Sequence, residues 1–279
     1  MSAAARGENI RRILVAVDAS PASLAALEIG AELAARYNAE LIGIFVEDVN
    51  LLRLAEYPFT REIGLYSTRT TRIDVSQMER QMRAQARTVR RRLAMVAEGA
   101  RLQWSFQTAR GVVHVALREA AENVDLIVMG RTGWTRQRHL GSTARVMVME
   151  SPRHTMILRR RVRFGVPVLV AYDGSEASRK ALSAVSLIWE EESRLTVLIL
   201  AEDVELARHL QGETEEFLAG FAMAPRFRWL KIIDQDILAQ IIREEGCGVV
   251  ILPAGSEHLP ADKLISFLNQ TDCAVLVVR

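Results

Sequence analysis

The segment of this 279-residue chain best suited to chemistry is Gly130-Arg131-Thr132-Gly133, followed after seven residues by Gly141-Ser142-Thr143. Glycines let a backbone come close to phosphate oxygens, and the amides at a helix N-terminus present donors together with the positive end of the helix dipole. The chemistry on offer is the binding of an anion. Arg131, Arg136 and Arg138 add positive charge in the loop, and Arg145 lies on the helix that follows. A Gly-x-x-Gly pair by itself is an ordinary turn signal, so its weight depends on where the fold places it.

Other reactive constellations are missing from the sequence. No Gly-x-x-x-x-Gly-Lys-Ser/Thr occurs, which excludes a P-loop NTPase, and there is neither a Gly-x-Gly-x-x-Gly nor a Gly-x-Ser-x-Gly. His114, His139, His154, His209 and His258 are scattered and Cys247 and Cys273 lie apart, so nothing has zinc spacing. His139 falls in the loop, where a solvent-exposed histidine is favoured over a ligand contact. Two cysteines exclude a disulfide framework, and the opening MSAAARGENIRR lacks the apolar core of a signal peptide. A cytoplasmic protein is expected. No apolar run reaches the ~18–20 residues needed to cross a bilayer, so no membrane partner is expected.

The elements that position these residues come in two copies. Ile13-Leu14-Val15-Ala16-Val17-Asp18-Ala19-Ser20 resembles Val168-Leu169-Val170-Ala171-Tyr172-Asp173-Gly174-Ser175. At one offset of 155 positions Asp18 meets Asp173, Ser20 meets Ser175, Ser23 meets Ser178 and Leu27 meets Leu182, and Glu47-Asp48-Val49 recurs as Glu202-Asp203-Val204. Matches held at one offset over more than thirty residues mark a duplication. Domains of 10–160 and 164–279 are expected.

Each copy opens with a continuous apolar run ending at Asp, then Ser, then a helical pattern, as in a buried parallel strand feeding a helix capped by Ser or Asp. In the first copy the pattern predicts strand 12–18, helix 21–37, strand 40–47, a long connection, helix 75–98, strand 102–109, helix 112–122, strand 124–129, the glycine loop, helix 142–149 and strand 153–159. In the second it predicts strand 166–172, helix 175–190, strand 194–201, helix 204–221, strand 227–233, helix 235–245, strand 248–253, helix 261–270 and strand 273–278. The fold class is α/β: two tandem doubly wound domains, each a five-stranded parallel sheet with helices on both faces. In such sheets the ligand crevice lies beyond the carboxyl ends of the strands where strand order reverses. The residues to examine are Asp18 and Ala19 after the first strand, Val46 to Asp48 after the second and Gly130 to Gly133 after the fourth.

Val-Asp-x-Ser at the head of the repeat, with the glycine segment after the fourth strand, resembles the universal stress protein family, and the likeness spans nearly the whole chain as two tandem domains of adenine nucleotide alpha hydrolase-like fold. The family's ATP-binding branch carries Gly, two residues, Gly, nine residues, then Gly-Ser or Gly-Thr; the second gap here is two residues shorter. The resemblance implies ATP or AMP, with Mg accompanying the nucleotide. It implies Gly130, Gly133, Gly141, Ser142 and Thr143 around the phosphates, Asp18 and Ala19 near ribose or metal-bound phosphate, and Val46 meeting adenine through its backbone. Arg131 is added as loop charge. It further implies that the two copies pair through their last strands, with a homodimer of chains as a further association.

The second copy keeps Asp173-Gly174-Ser175, but its fourth strand runs into Pro253-Ala254-Gly255-Ser256-Glu257-His258-Leu259-Pro260. Two prolines remove backbone donors and no second glycine follows at the needed spacing, so a structural copy without ATP is expected. Asp18 and Asp48 are the nearest candidates for a base to activate water, and at most weak ATP hydrolysis is expected. A nucleotide-free interaction scaffold and a slow ATPase stand as alternatives.

Two further features complete the sequence. Residues 1–160 hold 24 arginines and no lysine against 16 acids, net +8, and residues 161–279 hold 12 basic residues against 18 acids, net −6. Such a split fits an anion site in the first copy, attraction between the halves, or drift of exposed charge. Arg80, Arg83, Arg87, Arg90, Arg91 and Arg92 punctuate a helix whose apolar stripe is Met78, Met82, Ala86, Val89, Leu93 and Val96. A solvated face is favoured there over a nucleic-acid surface, because no aromatics interleave to stack bases. The connection 48–74 is long and apolar, as a lid over the crevice or, favoured, as a segment docking on the other domain or another chain.

Overall fold

Apolar runs that end at Asp or Gly become buried strands here, and the 3.6-period segments between them become covering helices. A computed structural model of the protein describes residues 10–56, 61–63, 70–72, 75–133, 139–159, 165–190, 193–221, 223–231, 235–246 and 248–279. The first half contains β1 (Arg12–Ala16), α1 (Pro21–Tyr37), β2 (Glu40–Asp48), α2 (Val49–Glu56), β3 (Arg61–Ile63), β4 (Thr70–Arg72), α3 (Val75–Gly99), β5 (Trp104–Gly111), α4 (Val113–Ala121), β6 (Leu126–Gly130), α5 (Ser142–Glu150) and β7 (His154–Leu158). The second contains β8 (Val168–Tyr172), α6 (Glu176–Ser183), α7 (Val185–Ile188), β9 (Leu195–Leu200), α8 (Val204–Ala219), β10 (Arg226–Leu230), α9 (Gln235–Glu245), β11 (Val249–Pro253), α10 (Ala261–Gln270) and β12 (Ala274–Val278).

Ten strands form one sheet in the order β10-β9-β8-β11-β12-β7-β6-β1-β2-β5. Within each half all neighbours are parallel, and strand order reverses between β1 and β6 and again between β8 and β11. The halves meet where β12 pairs antiparallel with β7, Leu276 opposite Met156. The chain is α/β, with two doubly wound five-stranded units. One apolar layer on the sheet includes Leu27, Leu33 and Leu93 from helices of the first half and Leu182, Val185 and Leu210 from the second. The other face carries Leu117 and Met147 together with Leu238, Leu264 and Phe267. Burial on both faces explains why β8, β11 and β12, and β9 apart from its buried Thr196, read as continuous apolar runs rather than alternating ones.

The caps follow the expectation. Ser20 accepts from the Ser23 amide at the head of α1, Ser175 from Ser178 at α6, and Asp203 from Leu206 at α8. On α3 the stripe Met82, Ala86, Val89 and Leu93 is buried, while Arg83 pairs with Glu79 and Arg92 with Glu28.

Two expectations need correction. The helix expected over 175–190 breaks at Ala184 into α6 and α7. Hydroxyls compete with the backbone there: Ser183 Oγ donates to the Arg179 carbonyl and Ser186 Oγ to that of Ser183. In the connection 48–74, α2 lies against α3 and β5 of its own half, and Leu52 is buried in the same core as Met82 and Ala86. That part of the connection therefore does not dock on the other domain. Tyr57, Phe59 and Leu65 lie outside the described residues, as does Cys247. No helix among the described residues is long and apolar enough to cross a membrane.

Candidate functional site

The turn after β1 is shaped by its own polar groups. The Ser20 amide donates to Asp18 Oδ1 at 2.9 Å, and the Asp18 amide donates to Ser23 Oγ at 3.3 Å. This Asx turn swings the chain into α1 and leaves the Asp18 carboxylate at the carboxyl end of the sheet. Ala19 adopts φ of 62°, the left-handed region that an L side chain enters at a cost of about 1–2 kcal/mol. Its counterpart Gly174 has φ of 77° and no Cβ to strain.

Across the point where strand order reverses, β6 ends against the same helix. A Cβ on Gly130 would sit 2.9 Å from the carbonyl carbon and Cβ of Ala22, so only glycine lets strand end and helix start touch. A Cβ on Gly133 would sit 2.7 Å from Asp18 Oδ2, so the loop backbone lies on the carboxylate. The Gly141 amide donates to the Arg131 carbonyl at 2.9 Å and closes the base of the loop. Gly141 then opens α5, and no side chain among the described residues caps it. Unlike α1, capped by Ser20, α5 starts with no side-chain cap, and Gly141, Ser142 and Thr143 of its start line a crevice that the first residue of α4, Val113, also lines; α4 has no side-chain cap either.

These elements surround a cleft of about 600 Å³, within the size range of small-molecule sites. Asp18, Val46, Gly130, Gly133, Gly141, Ser142 and Thr143 all line it. Leu51 from α2 also lines it, in the connection for which a lid over the crevice was the alternative reading, and so do Met82 and Gln85 from α3, which sequence reasoning missed. A long apolar connection between strand and helix was the available signal for Leu51. Gln85 had none, being one polar residue on an amphipathic helix.

Three expectations change. Ala19 does not line the cleft; it serves the turn. Arg131 contributes backbone to the wall, but its guanidinium turns away from the cleft: it is 3% exposed and donates to the carbonyls of Asn269 and Thr271 in the second half. Burial, and then the nearby charge of Arg159, lower it to about 10, so it stays a cation at neutral pH. Arg145 is exposed and outside the cleft wall, and Arg136 and Arg138 lie outside the described residues; His139 is exposed and outside the wall, as expected. Among the described residues no three His, Cys, Asp or Glu side chains gather as for a metal ion.

In the second half the counterparts of Asp18 and Val46 are hydrogen-bonded by other residues of that half. Ser256 stands where Gly133 stands, three residues past the strand end, and its hydroxyl donates to Asp173 Oδ2 at 2.7 Å. Burial raises the Asp173 carboxyl, but hydrogen bonds from Ser175, Ser256 and Ser178 outweigh it and hold the group below the usual carboxylate range. Ala201 is the counterpart of Val46, and its carbonyl accepts from the Trp229 indole at 2.9 Å. A Cβ on Gly174 would meet Leu210 at 2.7 Å.

The universal stress protein family model matches residues 9–159. Among solved structures, a universal stress protein from Archaeoglobus fulgidus is 19% identical and covers 96% of each chain with a TM-score of 0.72. A functionally unknown protein from Pseudomonas aeruginosa is 16% identical over 96% of this chain and 92% of that chain, with a TM-score of 0.56. A universal stress protein in complex with cAMP is 21% identical over 53% of this chain and 96% of that chain, with a TM-score of 0.37. A comparison with curated proteins gives no match.

Proposed function

The chain belongs to the universal stress protein family, and on that premise we propose that its first domain, 10–160, binds an adenine nucleotide, ATP or AMP, in a cytoplasmic regulatory or stress-response role. The second domain, 164–279, is its structural partner, joined to it within one chain through the β7 and β12 edges. The observation that carries this reading is the convergence of Asp18, Val46 and the Gly130, Gly133 and Gly141 backbone on one cleft at the uncapped N-terminus of α5. Phosphate would take the amides of Ser142 and Thr143 and the hydroxyls beside them. Gly133 has no Cβ, so the backbone can lie on Asp18 and leave its carboxylate facing the cleft. Mg entering with ATP would offset phosphate charge, and Asp18 and Asp48 are the carboxylates among the cleft's lining residues that could hold it.

Calorimetry with Mg-ATP tests the proposal. Binding of one nucleotide per chain is expected, since Ser256 and Trp229 hydrogen-bond the counterparts of Asp18 and Val46 in the second domain. No heat at hundreds of micromolar ATP with folded protein would refute it.

A further inference from the structure

Both described ends of the glycine loop are held by the end of one helix in the other domain. At the near end, the buried Arg131 guanidinium donates to the Asn269 and Thr271 carbonyls at the C-terminus of α10. At the far end, the Leu140 amide donates to the Asn269 side-chain oxygen at 2.6 Å. Asn269 thus uses its backbone for one end of the loop and its side chain for the other. The Gly141 amide on the Arg131 carbonyl ties the two ends together. The charges suit the arrangement, because the last carbonyls of a helix carry the negative end of its dipole and Arg131 brings a cation to them.

The same domain also holds the far end of α5. The Arg279 guanidinium donates to the Val148 carbonyl at 2.6 Å, in the last turn of the helix whose first turn faces the cleft. The loop base and the anion-facing helix are therefore both tied to the second domain.

We propose that the second domain positions the Arg131 and Leu140 ends of the first domain's phosphate segment, with Asn269 as the positioning residue, so that affinity in the cleft depends on contacts across the domain junction. This rests on the nucleotide reading above. Groups already held in place have less conformational freedom left to lose when a ligand binds against them, which raises affinity. A degenerate second domain would then remain useful through its α10 rather than through any ligand of its own.

The test uses the full chain. Asn269→Ala removes the acceptor for Leu140 while keeping the backbone carbonyl that Arg131 uses. Asn269→Asp keeps an acceptor oxygen, and Gln270→Ala changes an exposed neighbour. Without nucleotide, the Leu140 amide should exchange with solvent faster in Asn269→Ala, and slowly, as in the wild type, in Asn269→Asp and Gln270→Ala. The ATP dissociation constant of Asn269→Ala should rise about 2- to 10-fold, the equivalent of one net hydrogen bond. Unchanged ATP affinity in Asn269→Ala overturns the proposal. If the wild type binds no ATP, the nucleotide reading falls. The hold on the loop is then judged by exchange alone: faster exchange at Leu140 in Asn269→Ala supports it, and equal exchange overturns it.

Discussion

Replacing Gly133 with serine should give the first domain the hydrogen bond to its aspartate that the second already has. Gly133 and Ser256 each lie three residues past the end of their strand, and each faces the aspartate that follows the first strand of its domain. In the second domain the Ser256 hydroxyl binds Asp173 Oδ2 at 2.7 Å. In the first, a Cβ at 133 would already stand 2.7 Å from Asp18 Oδ2, so the carboxylate must shift and the new hydroxyl comes within reach of it. A hydrogen bond to a charged acceptor contributes about 1.5–3 kcal/mol. A ligand that needs the Asp18 carboxylate must break it, and the ATP dissociation constant should rise about 10- to 150-fold. Gly133→Ala displaces the carboxylate without engaging it and should lose less. Calorimetry with Mg-ATP measures both, and thermal unfolding controls for damage, since Gly133→Ser adds a bond and should melt no lower than the wild type. Wild-type ATP affinity in a folded Gly133→Ser protein would sink the idea that Asp18 and the Gly133 backbone form one ligand wall.

Two other substitutions probe the aspartate turns. Ala19→Gly removes a Cβ from a residue at φ of 62° and should raise unfolding free energy in urea by about 1 kcal/mol, whereas Ala19→Val should lower it; the reverse ranking would show that the turn is not strained. Ser256→Ala takes one hydrogen bond from Asp173, whose folded carboxyl lies below its unfolded value near 4. A depressed carboxyl stabilises fully above the unfolded value and loses that contribution as pH falls through the folded one. The variant should therefore be less stable than the wild type by about 1–3 kcal/mol at pH 7, with the gap closing below about pH 4. A gap that persists unchanged in acid would contradict the assignment.

Much of the cleft was legible because its chemistry is local. The Asp18 to Ser23 turn, the uncapped start of α5 and the glycine pair each depend on residues within a few positions of one another, and the repeat at an offset of 155 showed where the strands ended. The departure of the second half from the first was legible only in part. Pro253 and the lost glycine argued against phosphate, but the indole on the Ala201 carbonyl and the Ser256 hydroxyl on Asp173 join residues 28 and 83 positions apart. The break at Ala184 was missed because periodicity continues through it while serine hydroxyls decide it.

Arg131 marks the boundary between the two kinds of knowledge. By type and position it belongs to a phosphate loop, and nothing within ten residues of it says otherwise. Its direction is decided by α10, about 140 positions away, whose terminal carbonyls offer a buried cation more than a solvated loop would. The sequence by itself determined the duplication, the alternating strands and helices, the caps, and the end of the sheet at which a ligand would lie, because periodicity and turn chemistry act between near neighbours. Only the tertiary structure decided which side chains face that cleft, that Asp173 and the Ala201 carbonyl are engaged by residues of their own half, and that the end of one domain's helix contacts the other's loop. The last of these depends on pairing β7 with β12, and no local pattern encodes what that pairing brings together.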